Sequence, residues 1–217
     1  MQRKGGEDRG SANRPKVPKA DYLSVRLQGV TEVLIEKVEH VYMFDFSYLY
    51  YNDSMKLTVP YYSQFVDTQD PFWMLRACGG CCLKMVADFH GKDTPDIVSL
   101  CNEAKERGGY DMTNGWVHDY LVTKACELGL QAERKEGLEI IDEILQSLDR
   151  GDPVIVSVEK RVLEQTRFHM IVVVGYEGDT MFYHESESTD KERGQYRTCS
   201  QDVFMNYFRG KAIFITT

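Results

Sequence analysis

The sequence predicts an α+β fold, with a helical half packed against an antiparallel β-sheet. Three observations predict it. Between residues 76 and 151, apolar side chains recur three and four apart, the spacing of a helix with one buried face. Beyond Gly151 the apolar runs become short and β-branched, the composition of strands. Helical segments also precede the strands rather than alternating with them, which argues against a βαβ repeat.

Taken in order, residues 1–20 are polar, rich in Gly, Lys and Arg, and carry Pro15 and Pro18. They lack the apolar surface that offsets ordering entropy and read as a flexible tail. Residues 21–58 form a β-prone N-terminal appendage, with alternating runs at 23–27, 31–38 and 41–46. Tyr48, Tyr50 and Tyr51 there read as half-buried strand aromatics rather than a binding platform. The main domain spans 59–217. In it, residues 76–91 form a helix, and a second helix opens at Thr94 with Pro95 in its first position and closes at Gly108-Gly109. Two more follow at 114–129 (Val117, Leu121, Ala125, Leu128) and 139–151 (Ile141, Ile144, Leu145, Leu148). Strands are expected at 152–158, 169–174, 180–183 and 211–215, joined by turns such as Gly178-Asp179.

Bulk properties exclude several functions. The 217 residues are 42% hydrophobic and 28% charged, with a net charge of −8 and both signs mixed along the chain. That balance offers no basic face for nucleic acid. No apolar run approaches the roughly 18 residues of a membrane span, so no membrane insertion is expected. The charged N-terminus lacks the apolar stretch of a signal peptide, and the six cysteines read as reduced thiols, so a cytoplasmic location is expected. Oligomeric state is not readable.

The most informative segment is residues 76–91, Arg-Ala-Cys-Gly-Gly-Cys-Cys-Leu-Lys-Met-Val-Ala-Asp-Phe-His-Gly. Leu83, Val86, Ala87 and His90 share a stripe that Cys82, Met85 and Phe89 widen, so the helix is mostly buried. Cys78 sits in its first turn. A thiol at such a place meets unpaired N–H groups and the positive end of the helix dipole, which favours the nucleophilic thiolate. The pair Gly79-Gly80 suggests close approach of a substrate backbone. Other readings exist. A buried free cysteine is commonly a small hydrophobe, which suits Cys81 and Cys82. Cys78-Gly-Gly-Cys81 has the spacing of a dithiol redox centre, though no buried strand precedes it. Structural zinc lacks a second ligand pair.

Of the five histidines, His40, His90 and His118 read as structural. His169 opens the apolar run 170–174, so its ring stands at the rigid end of a core strand, where a positioned base belongs. A cysteine hydrolase needs such a base near the thiol and a third group to orient it, neighbours in space rather than in sequence. The next strand ends in Tyr183-His184-Glu185-Ser186, and Glu185 can accept from the imidazole. Glu185 and Glu187 also fit a plain solvated turn, and His184 either an exposed ring or one lining the cleft.

At these residues the chain resembles the C39-like branch of papain-fold cysteine peptidases. Three blocks match in order: Val-Pro-Tyr-Tyr-Ser-Gln at 59–64; Cys-Gly-Gly-Cys-Cys-Leu-Lys-Met-Val at 78–86 with Phe-His-Gly at 89–91; and His-Met-Ile-Val-Val-Val-Gly-Tyr at 169–176 with Phe-Tyr-His-Glu-Ser at 182–186. The resemblance implies a papain-like fold with Cys78 as nucleophile and His169 as base. It implies Glu185 where relatives carry Asp, and Gln64 in the oxyanion hole with the Cys78 N–H as second donor, Gln69 being a fallback. Gly80 departs from the Pro or small residue common in relatives, without consequence for the chemistry.

The expected function is therefore a cysteine peptidase acting on a peptide or protein substrate, with no metal and no organic cofactor. The fold alone does not separate it from an amidase or transglutaminase, a catalytically silent binding module, or the dithiol redox protein. The loops 66–75 and 160–167 are expected to shape specificity.

Overall fold

A computed structural model describes residues 54–139, 141–162 and 165–217. The expected tail and nearly all of the expected appendage, including the tyrosine cluster, lie outside the described residues.

The centre of the fold is a sheet whose three middle strands are β5 (Val154–Val162), β6 (Gln165–Glu177) and β9 (Phe208–Thr216). Their side chains alternate between two cores, as successive strand residues must. Ile155, Met170, Val172, Val174, Ile213 and Ile215 enter one, whereas Val154, Val156, Ile171, Val173 and Phe214 enter the other. Burial on both faces explains the unbroken run 170–174, which shows no polar alternation. β4 (Gln131–Glu136), β7 (Thr180–His184) and β8 (Arg197–Ser200) complete the order β4-β9-β5-β6-β7-β8, every pairing antiparallel. Residues 54–56, which the sequence groups with the appendage, form β1 (Ser54–Lys56) and pair with β6 from Gly175 to Glu177, beyond the end of β5.

On the first face lies α1 (Cys78–Phe89), flanked by α2 (Ile97–Glu106) and α3 (His118–Glu127). Leu83, Met85, Val86 and Ala87 of α1 are fully buried, and each of the larger ones contributes roughly 1.5–3 kcal/mol. The other face is covered by α4 (Asp142–Asp149) and α6 (Gln201–Tyr207). A one-turn α5 (Lys191–Gly194) precedes β8, and a hairpin of β2 (Tyr110–Asp111) and β3 (Gly115–Trp116) precedes α3. No helix among the described residues is long and apolar enough to cross a membrane.

Several elements differ from expectation. The second helix is capped by Asp96, whose side chain accepts from the Ser99 N–H, so it starts beyond Thr94-Pro95. The Thr94 hydroxyl instead donates to Asp88 and accepts from Lys84. The segment expected to be helical from 114 yields its first residues to β3, and the third and fourth helices are shorter at both ends. His169 lies inside β6 rather than opening it, because the β5–β6 ladder runs on to Val162↔Gln165. Most of the expected loop 160–167 is therefore hairpin. α4, α5 and α6 also interleave with strands, so α1 to α3 precede the main sheet strands apart from β1, with only the short β2–β3 hairpin among them.

Candidate active site

Cys78 opens α1 and is half-buried. Ala77 at the cap position makes no side-chain hydrogen bond to the first-turn amides. The backbone reaches this point through a 3-10 turn, Trp73–Leu75, whose Trp73 O accepts from the Arg76 and Ala77 N–H groups. Trp116, carried over by the β2–β3 hairpin, donates from Nε1 to Arg76 O at 2.7 Å and fixes the approach to Cys78.

The expectation that Gly79-Gly80 admits a substrate backbone is corrected. Both glycines are buried; a Cβ on Gly79 would stand 2.4 Å from the Trp116 ring, and one on Gly80 would stand 2.7 Å from the Cys101 sulfur. They are small so that the hairpin and α2 can pack against the helix. Cys81 and Cys82 are fully buried, and burial pushes both thiols well up, in line with their reading as small hydrophobes. All six cysteines are free.

His169 and Glu185 are 7% and 6% exposed, and His169 Nε2 lies 2.5 Å from Glu185 Oε1. β6 carries the ring, and the paired β7 brings Glu185 beside it, the register being Val172↔His184. Burial pushes the imidazole down, but hydrogen bonds to Cys78 and Glu185 and the charges of both outweigh it, and the ring's pKa is raised. With Nε2 engaged by Glu185, Nδ1 is the nitrogen left for Cys78. Burial likewise pushes the Glu185 carboxyl up, yet the bond and charge of His169, the Lys160 ammonium and the Glu187 N–H hold it below the usual range. Lys160 also pairs with the Glu187 carboxylate. The ligand atoms of His169, Glu185 and Glu187 lie within 4.8 Å of one another, as a cation would require. The His169–Glu185 hydrogen bond and the Lys160 ammonium already fill those contacts.

Gln64 is 2% exposed and links the two halves of the site. Its Nε2 donates to Met74 O at 2.9 Å, its Oε1 accepts from Ser186 Oγ at 3.3 Å, and its N–H donates to Ser186 O at 2.9 Å. One N–H of the side-chain amide remains beyond that to Met74. Gln69, the fallback, is exposed and lies outside the cleft wall. His184 is fully buried rather than exposed or cleft-lining: its Nδ1 accepts from the Tyr196 N–H and its Nε2 meets Val59 O, so it anchors the strand end as a neutral ring.

Gln64, Cys78 and His169 line a single cleft of about 430 Å³. Leu75, Met112 and Phe168 are exposed apolar side chains on its wall. Leu75, Lys160 and Arg167 of the loops expected to shape specificity do line this wall, whereas sequence reasoning missed Trp116 and Arg209 there and took His118 as structural. The His118 ring lines the cleft and meets Ser157 Oγ at 2.9 Å.

Comparison with known proteins follows the same lines. A protein of Bacillus anthracis described as a C39-like peptidase superposes with a TM-score of 0.56 at 17% identity, over 76% of this chain and 98% of that one. A double-glycine-motif protease from an AMS/PCAT transporter, solved with a leader peptide, gives 0.51 at 17% identity over 75% and 95%. These likenesses identify the fold as that of papain-like C39 domains. No curated protein matches the sequence significantly. The sequence pattern of the Peptidase C39 like family matches residues 56–210, most of the chain. The chain belongs to the peptidase C39-like family.

Proposed function

We propose that this protein is a cysteine peptidase in which Cys78 attacks a peptide or amide carbonyl, His169 moves the protons, Glu185 orients His169 and Gln64 stabilises the oxyanion. The observation that carries the proposal is His169, held between the Cys78 thiol and the Glu185 carboxylate at the head of a buried helix.

In the first step the Cys78 proton resides on His169 and the sulfur attacks the carbonyl carbon. The new C–S bond displaces the carbonyl π pair onto oxygen. That oxyanion is met by the free amide N–H of Gln64 and the Cys78 backbone N–H, donors set before the reaction begins. His169 then gives its proton to the leaving amine as the C–N bond breaks, leaving a thioester. Water attacks the thioester, His169 takes its proton, the C–S bond breaks and the thiol is restored. Glu185 takes the role of the family's Asp with one more methylene, and the 2.5 Å contact supports its reaching the ring. A peptide substrate is favoured by family membership and by the structural neighbour bound to a leader peptide. The dithiol reading gives His169 and Glu185 no part.

A thiol-reactive probe titrated against pH tests the proposal. Cys78 is expected to be labelled selectively at acid pH, and His169→Ala to lose that labelling and slow hydrolysis of quenched peptides by about a hundredfold or more. Labelling of Cys78 no faster than that of Cys126 or Cys199 overturns it.

A further inference from the structure

The cleft continues past Trp116 and Phe168 into a second hollow lined by Arg134, Arg209 and Lys211, with Glu136 beside them. The wall around Cys78 likewise carries four cations, Arg76, Lys160, Arg167 and Arg209, against the single carboxylate of Glu187. In a chain of net charge −8 this concentration runs against the composition. Three of these six cations are answered by carboxylates. Lys160 pairs with Glu187, Arg134 with Asp119 and Glu136, and Lys211 with Glu136.

Among the described residues Arg76, Arg167 and Arg209 have no carboxylate partner. Arg76 is engaged by Phe72, donating to its carbonyl and stacking on its ring. The Arg209 guanidinium carbon instead lies 3.5 Å from the centroid of the exposed Phe168 ring. Stacking on an aromatic face fixes the plane of the fork and leaves its N–H edges for a ligand, the arrangement that suits bidentate carboxylate binding. The backbone is shaped for this. Along β5 and β9 the register passes from Val156↔Ala212 to Val158↔Phe208, so Ser157 alone faces Arg209, Gly210 and Lys211. A bulge of this kind re-aims side chains. Gly210 takes φ +64° within it, and a Cβ there would stand 3.0 Å from Leu138 O. Both Ser157 and Arg209 line the cleft. The field is felt at His118, on the same wall: after burial, Lys211, Arg134 and Arg209 all push its ring down, opposed by Glu136.

We propose that Arg209, stacked on Phe168 and turned into the cleft by the β9 bulge, is a subsite for a carboxylate of the peptide substrate. This rests on the peptidase reading. The carboxylate comes from an Asp or Glu side chain or from the peptide's own C-terminus.

The full chain is incubated with randomised decapeptide libraries, one with free C-termini and one amidated, and the products are sequenced by mass spectrometry. The expected result is about tenfold enrichment of Asp and Glu at one position relative to the cut, the size of a charge-assisted bond in a partly open site, shrinking as salt rises. Enrichment that survives amidation assigns the side chain. Cleavage at a fixed distance from the C-terminus, confined to the free-acid library, assigns the terminus. Arg209→Gln loses the preference and Arg209→Lys keeps part of it, so the lysine variant carries the test if the glutamine variant does not fold. Cleavage by the unaltered protein without any such preference, or a preference unchanged in both variants, overturns the subsite and leaves the peptidase reading standing. No cleavage of either library overturns that reading, and the subsite with it.

Discussion

His169 with Glu185 and His90 with Asp152 are both histidine–carboxylate pairs largely withdrawn from water, one at each end of α1. At the first, ring and carboxylate are 2.5 Å apart, the imidazole is raised and the carboxyl lowered. At the second they are 4.0 Å apart and His90 Nε2 has no hydrogen-bond partner among the described residues. There burial prevails, pushing the His90 ring down and the Asp152 carboxyl up. The charged forms are thus favoured at one end of the helix and disfavoured at the other. A direct hydrogen bond and a second partner, the Cys78 thiol, offset the cost of burying charge; proximity alone does not.

The largest effect that sharpens this contrast is on stability. Glu185→Ala is expected to lower unfolding free energy by about 3 kcal/mol or more, because it strands a buried charge, whereas Asp152→Ala costs about 1 kcal/mol or less. Urea unfolding measures both, and equal losses break the comparison.

A smaller effect is the pH dependence of the His169–Glu185 pair. The raised His169 stabilises the fold fully below its unfolded value near 6.5, and that contribution fades as pH rises through the higher folded value. The lowered Glu185 stabilises fully above 4.5 and fades as pH falls toward its lower folded value. The Tm difference between the unaltered protein and Glu185→Gln is therefore widest between pH 4.5 and 6.5 and narrows on both sides. A difference independent of pH removes the ion pair from the account.

The smallest effect belongs to His90. Its ring is lowered, so below pH 6.5 the unfolded chain takes up a proton that the folded one resists, and stability falls with pH. His90→Gln lacks that group and is expected to lose less stability on mild acidification, by about 1 kcal/mol or less. Identical acid sensitivity in thermal melts counts against it.

The legible parts of the fold are those in which burial writes a pattern. The stripe of α1 and the run 170–174 are dense in apolar residues because each is packed on its neighbours, and both were expected near their observed places. β4, with the sequence Gln-Ala-Glu-Arg-Lys-Glu, was missed because an edge strand is held by its backbone ladder to β9 while charged side chains face water. β8, Arg-Thr-Cys-Ser, was missed because it is a four-residue edge strand with no apolar run to mark it. The Asp96 cap was misplaced because Thr94-Pro95 offers an equally good local signal, and the choice fell to the hydroxyl's bonds with Asp88 and Lys84.

The candidate site divides the same way. By itself the sequence singled out the residues of the proposed chemistry: Cys78, His169 and Glu185, because a thiol at a helix start and a ring beside a core strand are local properties, and Gln64 through the ordered family blocks. What only tertiary structure decided is what surrounds them. Trp116 lies against Gly79, Lys160 reaches Glu185 across the sheet, and Arg209 is turned toward the cleft by a bulge opposite Ser157. Each of these contacts joins segments far apart in the chain, the first by packing of the β2–β3 hairpin on α1 and the other two through strand register, which is fixed by the packing of the whole sheet rather than by any residue's neighbours in sequence.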